Sequence, residues 1–398
     1  MTKCVPILAV LAATIAVLPA VAAPPKPEIQ VPWEVKPDPL PFKMDGPFQT
    51  NKQFSLAHPS PVVFPTSPSP YFGVFIPADK KEPPQLKMYD LRGMEQVGQT
   101  IKHDKLQYPQ RTIRVSPWGD HIAIIDNKAD KPTVWLATVT DAKIVASIVP
   151  HEGKEKIECW DFAGKDQLIT CMEADGKRTW RIWDVKTGKE IRSFDYPLEF
   201  SEKWMAFSPG RRYLVMQETH IQSYNLLFWD LQKGECVGKM PMQDPKAPWG
   251  QCGNLAFSND GKELALLWYL NKDGVLAKIM RFDLEKGAKI GELSLGEEIK
   301  PAGAGFLCGG MCTLQYLPDD RGWLVSGCQI VECESGIPVC TIDPCPRSIE
   351  QTRNRRFLDA THVTDQTKDK KLQILTLPQT ELDAALDKAR SKAREGKN

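Results

Sequence analysis

A two-part pattern returns along this chain about every 47 residues, and that return leaves few folds open. Its first part is a strand, a turn rich in Ser, Pro, Gly and Asp, and an apolar strand. Ala206–Val215 (AFSPGRRYLV) and Ala256–Ala265 (AFSNDGKELA) are the clearest copies. Val115–Ala123 matches well, and Phe162–Ile169 and Tyr316–Leu324 are weaker. The second part is an aromatic–acid pair, a short polar turn with Gly, and another strand. Its best copies are Trp183–Ile191 (WDVKTGKEI) and Trp229–Val237 (WDLQKGECV). Tyr89-Asp90, Phe282-Asp283 and Val331-Glu332 are variants, and Trp135–Ala137 lacks the acid. Aligning Asp90, Ala137, Asp184, Asp230, Asp283 and Glu332 gives gaps of 47, 47, 46, 53 and 49 residues. Leu372–Leu377 is a last copy. Each unit is a small sheet that cannot cover both of its faces, so it must stack against its neighbours.

Four short strands per unit at this spacing mark an all-β, seven-bladed β-propeller of four-stranded blades. The motifs resemble the WD40 and TolB-type propeller family over residues 54–378. The resemblance implies that the acids Asp90, Asp184, Asp230 and Asp283, beside Trp183 and Trp229, are structural and bond backbone groups of the adjoining turn. It also implies a Gly-His pair ahead of each first strand. Only His151 sits near such a place, so the family's His-based network is expected to be absent. The last repeat is degenerate in its first half, and residues near Phe54–Val63 are expected to lend it a strand.

Residues 1–22 read as an export signal. Lys3 opens it, Val5–Leu18 is an almost unbroken apolar run, and Ala20-Val21-Ala22 supplies a small-x-small cleavage pattern. No later segment reaches the roughly 18 apolar residues of a membrane span. The mature chain is therefore expected to be exported, to the periplasm or beyond, with no transmembrane span. Thirteen of the 33 prolines fall between Pro24 and Pro70, which makes residues 23–53 an extended Pro-rich tether laid partly on the domain by Trp33 and Phe42. Residues 379–398 read as a short helix with a Thr380/Asp383 capping box and an apolar stripe of Leu382, Ala385 and Leu386. It is either solvated or docked on a partner.

Export bears on the cysteines. Of eleven, Cys4 leaves with the signal, and the ten others suit an oxidising compartment. Cys159/Cys171 and Cys312/Cys328 are symmetric about expected turns, and Cys333/Cys340 flank another. At least one of these pairs is expected to form a disulfide. The alternative is buried thiols packed as small apolar side chains.

Lys+Arg total 51 and Asp+Glu 50, a net charge of +1, so nucleic acid is not an expected partner. No G-x-S-x-G, H-E-x-x-H or C-x-x-C-H occurs, and six His are scattered singly. No cofactor, metal or catalytic residue is assigned. Gly303–Gly310 lacks the spacing of a nucleotide loop, and Asp319-Asp320 reads as a solvated turn. These observations favour a propeller that binds a protein or envelope-associated macromolecule. The alternative is a propeller-type lactonase or lyase with its site at the central channel.

Overall fold

The computed structural model describes residues 31–42, 46–55, 62–66, 68–106, 112–127, 129–150, 157–174, 177–197, 205–220, 223–242, 251–271, 275–295, 313–343, 355–367 and 371–395. The expected export signal and His151 lie outside these residues.

Seven antiparallel sheets follow one another along the chain. Blades 1 to 6 span Val62–Lys102, Ile113–Ile148, Ile157–Pro197, Met205–Pro241, Gln251–Ser294 and Leu314–Thr341. Each has four strands, joined in sequence order. Blade 7 is composite. His362–Gln366 pairs with Lys371–Thr376, and Phe357 makes an isolated bridge to Val363 on the inner side. On the outer side Gln53–Ser55 pairs with Lys371–Gln373. The expected lending of an N-terminal strand is what completes the last blade.

The middle strands explain why the repeat is so apolar. Every residue of His121–Asp126 is buried, and so is the Leu226-Leu227-Phe228 run. A blade lies between two neighbours, so both of its faces are interior and alternation disappears. The outer strands face water on their free edge: Ala288–Ser294 is largely exposed. Seven apolar clusters result, each shared by two neighbouring blades. Blades 4 and 5 meet through Phe228, Leu226, Trp268 and Phe282. Blades 7 and 1 meet through Leu372, Ile374, Phe72 and Val74, and this contact closes the ring.

Register corrects one alignment. Tyr71 pairs with Asp90 and Tyr213 with Asp230, at the end of each third strand. The matching pair in blade 2 is His121 and Thr138, so Thr138, not Ala137, occupies the acid position. Its hydroxyl donates to Asp141 within the turn.

The C-terminal helix (Gln379–Glu395) is neither free nor capped as expected. Leu382 and Leu386 are buried against Leu324, Ile330, Phe357 and Leu377 of blades 6 and 7. The helix begins before Thr380, and Asp383 accepts from Arg321 and Gln379 instead of closing a capping box. Arg390 Nε reaches the buried carboxylate of Glu332 at 3.2 Å. Ionic contacts to blade 6 thus fix the helix on the chain's own ring.

Candidate functional site

One end of the ring is built from repeated turns. Where the third strand ends, the acid accepts from amides of the turn that follows. Asp184 accepts from the Thr187 amide at 2.7 Å and its hydroxyl at 2.8 Å. Asp230 accepts from the Gln232 and Lys233 amides at 2.9 and 3.1 Å. Asp283 accepts from the Glu285 and Lys286 amides, both at 2.9 Å, and Asp90 from the Arg92 amide at 2.9 Å. Glu332 takes the amides of Glu334 and Ser335 at 2.9 and 2.7 Å. Bonds to Thr187 hold the Asp184 carboxyl below the usual carboxylate range, and those to Lys286 do the same for Asp283. Trp183 donates to Thr170 at 2.8 Å and Trp229 stacks on Phe194, so both aromatic members of the motif serve packing.

The Pro-rich segment crosses this same end. Trp33 enters the seam between blades 4 and 5, meeting Phe228 edge-on at 5.1 Å and donating to the Leu284 carbonyl at 2.8 Å. The Gly210 amide donates to the Asp38 carbonyl at 3.0 Å, and the Arg212 amide to its carboxylate at 2.9 Å. Glycine is required beneath it. A Cβ on Gly287 would stand 2.5 Å from the Trp33 indole, and one on Gly261 2.5 Å from the Asp38 backbone. Phe42 ends the track edge-on to Trp118 of blade 2 at 6.3 Å.

The first strands of the blades surround a cavity of about 340 Å³. Its wall takes Asp161 from blade 3, Phe207 from blade 4, Asn254, Leu255 and Phe257 from blade 5, Gln315 and Tyr316 from blade 6, and Arg355 and Arg356 from blade 7. Leu40 of the Pro-rich segment also lines it, and its amide donates to the Asn259 carbonyl at 3.0 Å.

Two buried ion pairs sit at this axis. Arg211 and Asp161 lie 3.5 Å apart. Thr66 of blade 1 donates to Asp161 and accepts from Arg211, while the Phe162 amide donates to Asp161 at 2.8 Å. Residues of blades 1, 3 and 4 are thereby tied across the ring. Burial pulls the Arg211 pKa down, against the opposing pull of Asp161, as expected where a charge loses water. Arg355 pairs with Asp365 and donates to the Gly327 and Ile342 carbonyls at 3.0 and 2.9 Å, joining blade 7 to blade 6. Arg356 lies over the Phe64 ring at 5.1 Å and donates to the Pro65 carbonyl at 2.5 Å.

Sequence reasoning missed these axial residues, yet one signal was present. The fourth residue of the first turn has positive φ in four blades: Gly119, Arg211, Gly261 and Asp320. Two of the four are not glycine. Arg211, at φ +64°, serves the axis. Asp320, at φ +59°, accepts from the Asn259 backbone and side chain, both at 2.8 Å, and links blade 6 to blade 5. The solvated turn expected at Asp319-Asp320 is thus an inter-blade joint, with Asp319 paired to Arg321.

The cysteine expectations divide. Cys159 does stand opposite Cys171, yet both are thiols, and no disulfide is present among the described residues. Cys333 and Cys340 do not face each other. A bulge between Ile330 and Val331 pairs Cys340 with Ile330, and Cys333 lies past the last paired residue, Glu332. Leu314 pairs with Val325, so Cys328 falls in the following turn, off the strand; Cys312 lies outside the described residues.

No protein-family profile and no curated protein matches this sequence. Solved structures do. The β-propeller domain of Cps50 (Swd1) from Myceliophteria thermophila superposes with a TM-score of 0.51 at 10% identity, over 82% of this chain and 99% of that one. The chain folds as a β-propeller. A Dos1 propeller aligns over 77% of this chain and 75% of its own, at 12% identity and a TM-score of 0.47. The propeller spans only 54% of a eukaryotic initiation factor structure, at 15% identity, 58% coverage of this chain and a TM-score of 0.39. At these identities the likeness is one of fold alone.

Proposed function

We propose that this propeller is exported and acts as a binding or scaffolding module without catalysis, presenting its inter-blade connections to a protein or envelope-associated macromolecule. The carrying observation is the contrast between the ring's two ends. The turn end is uniform, its acids are committed to turn amides, and its blade 4–5 sector is covered by Trp33–Leu40. The opposite end carries inter-blade connections of very different length, from Pro197 to Met205 up to Ser294 to Leu314. Variable connections on a rigid frame are where specificity resides. The enzyme reading has less support, because the carboxylate lining the cavity, Asp161, is held by Arg211, Thr66 and the Phe162 amide.

The test is affinity capture from the exported fraction, with sequencing of the mature N-terminus. A start at Ala23 and a retained partner are expected. Replacing residues 296–312 by a short Gly-Ser linker should release that partner, while Asp184→Ala should keep it. Retention by both variants, or an intact N-terminus inside the cell, speaks against the proposal.

A further inference from the structure

Blade 5 repeats a surface that the chain itself covers on blade 4. In both blades the outer strand carries one extra residue, a bulge. On blade 4 it falls at Val237, between Cys236 and Gly238, which pair with Trp229 and Phe228. On blade 5 it falls at Ile290, between Lys289 and Gly291, which pair with Phe282 and Arg281. A β-branched residue followed by glycine therefore stands at the same place in each. The turns before them match as well: Lys233 and Lys286 each donate an amide to the repeat acid, Asp230 or Asp283.

Blade 4 shows what such a surface takes. The Glu34 amide donates to the Val237 carbonyl at 2.8 Å, and the Glu34 carboxylate accepts from Lys233 Nζ at 2.7 Å. Gly238 leaves room for the side chains on either side of Glu34. A Cβ there would stand 2.9 Å from the Trp33 ring and 3.0 Å from Val35. Val237 and Gly238 are buried as a result. On blade 5 the matching residues are open. Ile290 is 46% exposed, and a Cβ on Gly291 would meet no atom within 4 Å. The other bulges differ. Val339 of blade 6 packs with Leu382 and Leu386 of the C-terminal helix. Val145 and Ile191 of blades 2 and 3 are exposed, but Ala146 and Arg192 follow them, and the Arg192 side chain lies against Gly234.

We propose that the outer edge of blade 5 docks an extended segment of a partner protein in which an aromatic residue, an acid and an aliphatic residue follow one another. The segment adds to the free strand edge, the amide of its acid donating to the Ile290 carbonyl. The acid meets Lys286, and the aromatic and aliphatic side chains straddle Gly291. One difference between the blades refines the aromatic. The Leu284 carbonyl, which accepts from the Trp33 indole, corresponds to that of Cys333, which already accepts from Arg281 Nη1 at 3.0 Å. The aromatic position on blade 5 therefore needs no N–H, and phenylalanine serves as well as tryptophan. A second copy's Pro-rich segment is not the occupant, because that segment is seated on its own ring. This edge is separate from the inter-blade connections assigned above to a macromolecule.

The experiment titrates the full chain with a labelled, end-blocked peptide VPWEVK, the sequence of residues 31–36, to millimolar concentration. Fluorescence anisotropy follows binding, and amide exchange locates it. Saturable binding that slows exchange in Ala288–Ser294, and leaves Glu235–Pro241 unchanged, is expected. VPFEVK should bind equally well, and VPAEAK should not bind. Gly291→Leu has open space for its side chain and should melt as the parent does, yet it should weaken binding about tenfold, as should Ile290→Glu. No saturable binding, binding unaffected by both variants, or protection at Glu235–Pro241 instead overturns the proposal. Self-association of the chain that Ile290→Glu abolishes overturns it too, since a second copy would then be the occupant.

Discussion

The Arg211 guanidinium lies 3.5 Å from the Asp161 carboxylate, and the two side chains are only 1% and 3% exposed. They belong to different blades, and Thr66 of a third blade bonds both. Removing one partner would leave the other charge buried and uncompensated. Arg211→Gly suits the backbone, since glycine fits φ +64°. It should nonetheless destabilise the fold by about 3–5 kcal/mol. Adding Asp161→Asn should recover part of that loss. Urea unfolding of the two single variants and the double variant measures the coupling; strict additivity would show that the pair does not act as a unit.

The repeat acids should differ in weight. Asp230 is 1% exposed and holds two turn amides and Arg212. Asp184 is more open, and its best bonds are to the Thr187 side chain and amide. Asp230→Ala should cost about 2–3 kcal/mol, and Asp184→Ala about 1 kcal/mol. Equal losses would contradict this reading of the turns.

Acid should act through the open turns. Asp184 and Asp283 titrate below the ordinary value of 3.8 when folded. A lowered folded pKa gives stability that is present above the unfolded pKa and is lost as pH falls through the folded one. Urea midpoints should be level near pH 5 and fall below about pH 3.8. The Asp184→Ala/Asp283→Ala variant should show a shallower fall.

Thiol reactivity should follow burial. Cys171 is fully buried and its cross-strand neighbour Cys159 is half-buried. Cys333 is 5% exposed and burial pushes its pKa up to about 11. Under native conditions an alkylating reagent should modify Cys159 well before Cys171 or Cys333, since the thiolate is the reacting form. Mass spectrometry of timed samples provides the check, and early labelling of Cys171 would show that the blade 3–4 seam opens.

The C-terminal helix should contribute to the ring. Leu386 is 1% exposed, in the cluster that joins blades 6 and 7. Leu386→Ala should cost about 2–4 kcal/mol. It should also speed amide exchange in Lys371–Thr376. A loss below about 0.5 kcal/mol, the range of an exposed site, would mean that the helix is not docked.

Local chemistry sufficed for everything the blades share. The 47-residue return announced stacked sheets, and the aromatic–acid pairs marked turns that the acids then cap, because an acid two or three residues from a free amide needs no distant partner. Symmetric spacing about residue 165 placed Cys159 opposite Cys171, and a bulge between Phe162 and Gly164 supplies the one-residue shift from the Gly164–Gln167 turn that this pairing needs. Spacing failed at Cys333, which lies in the turn beyond the last paired residue, Glu332, and where Thr138 took the place of an acid. What the blades do not share was decided by tertiary structure. The docking of the helix, the seating of Trp33 between blades 4 and 5, and the meeting of Thr66, Asp161, Arg211 and Arg356 at the axis join residues up to 291 positions apart. Closing the ring brings together side chains whose separation along the chain carries no period, so their juxtaposition exists only once every blade has packed.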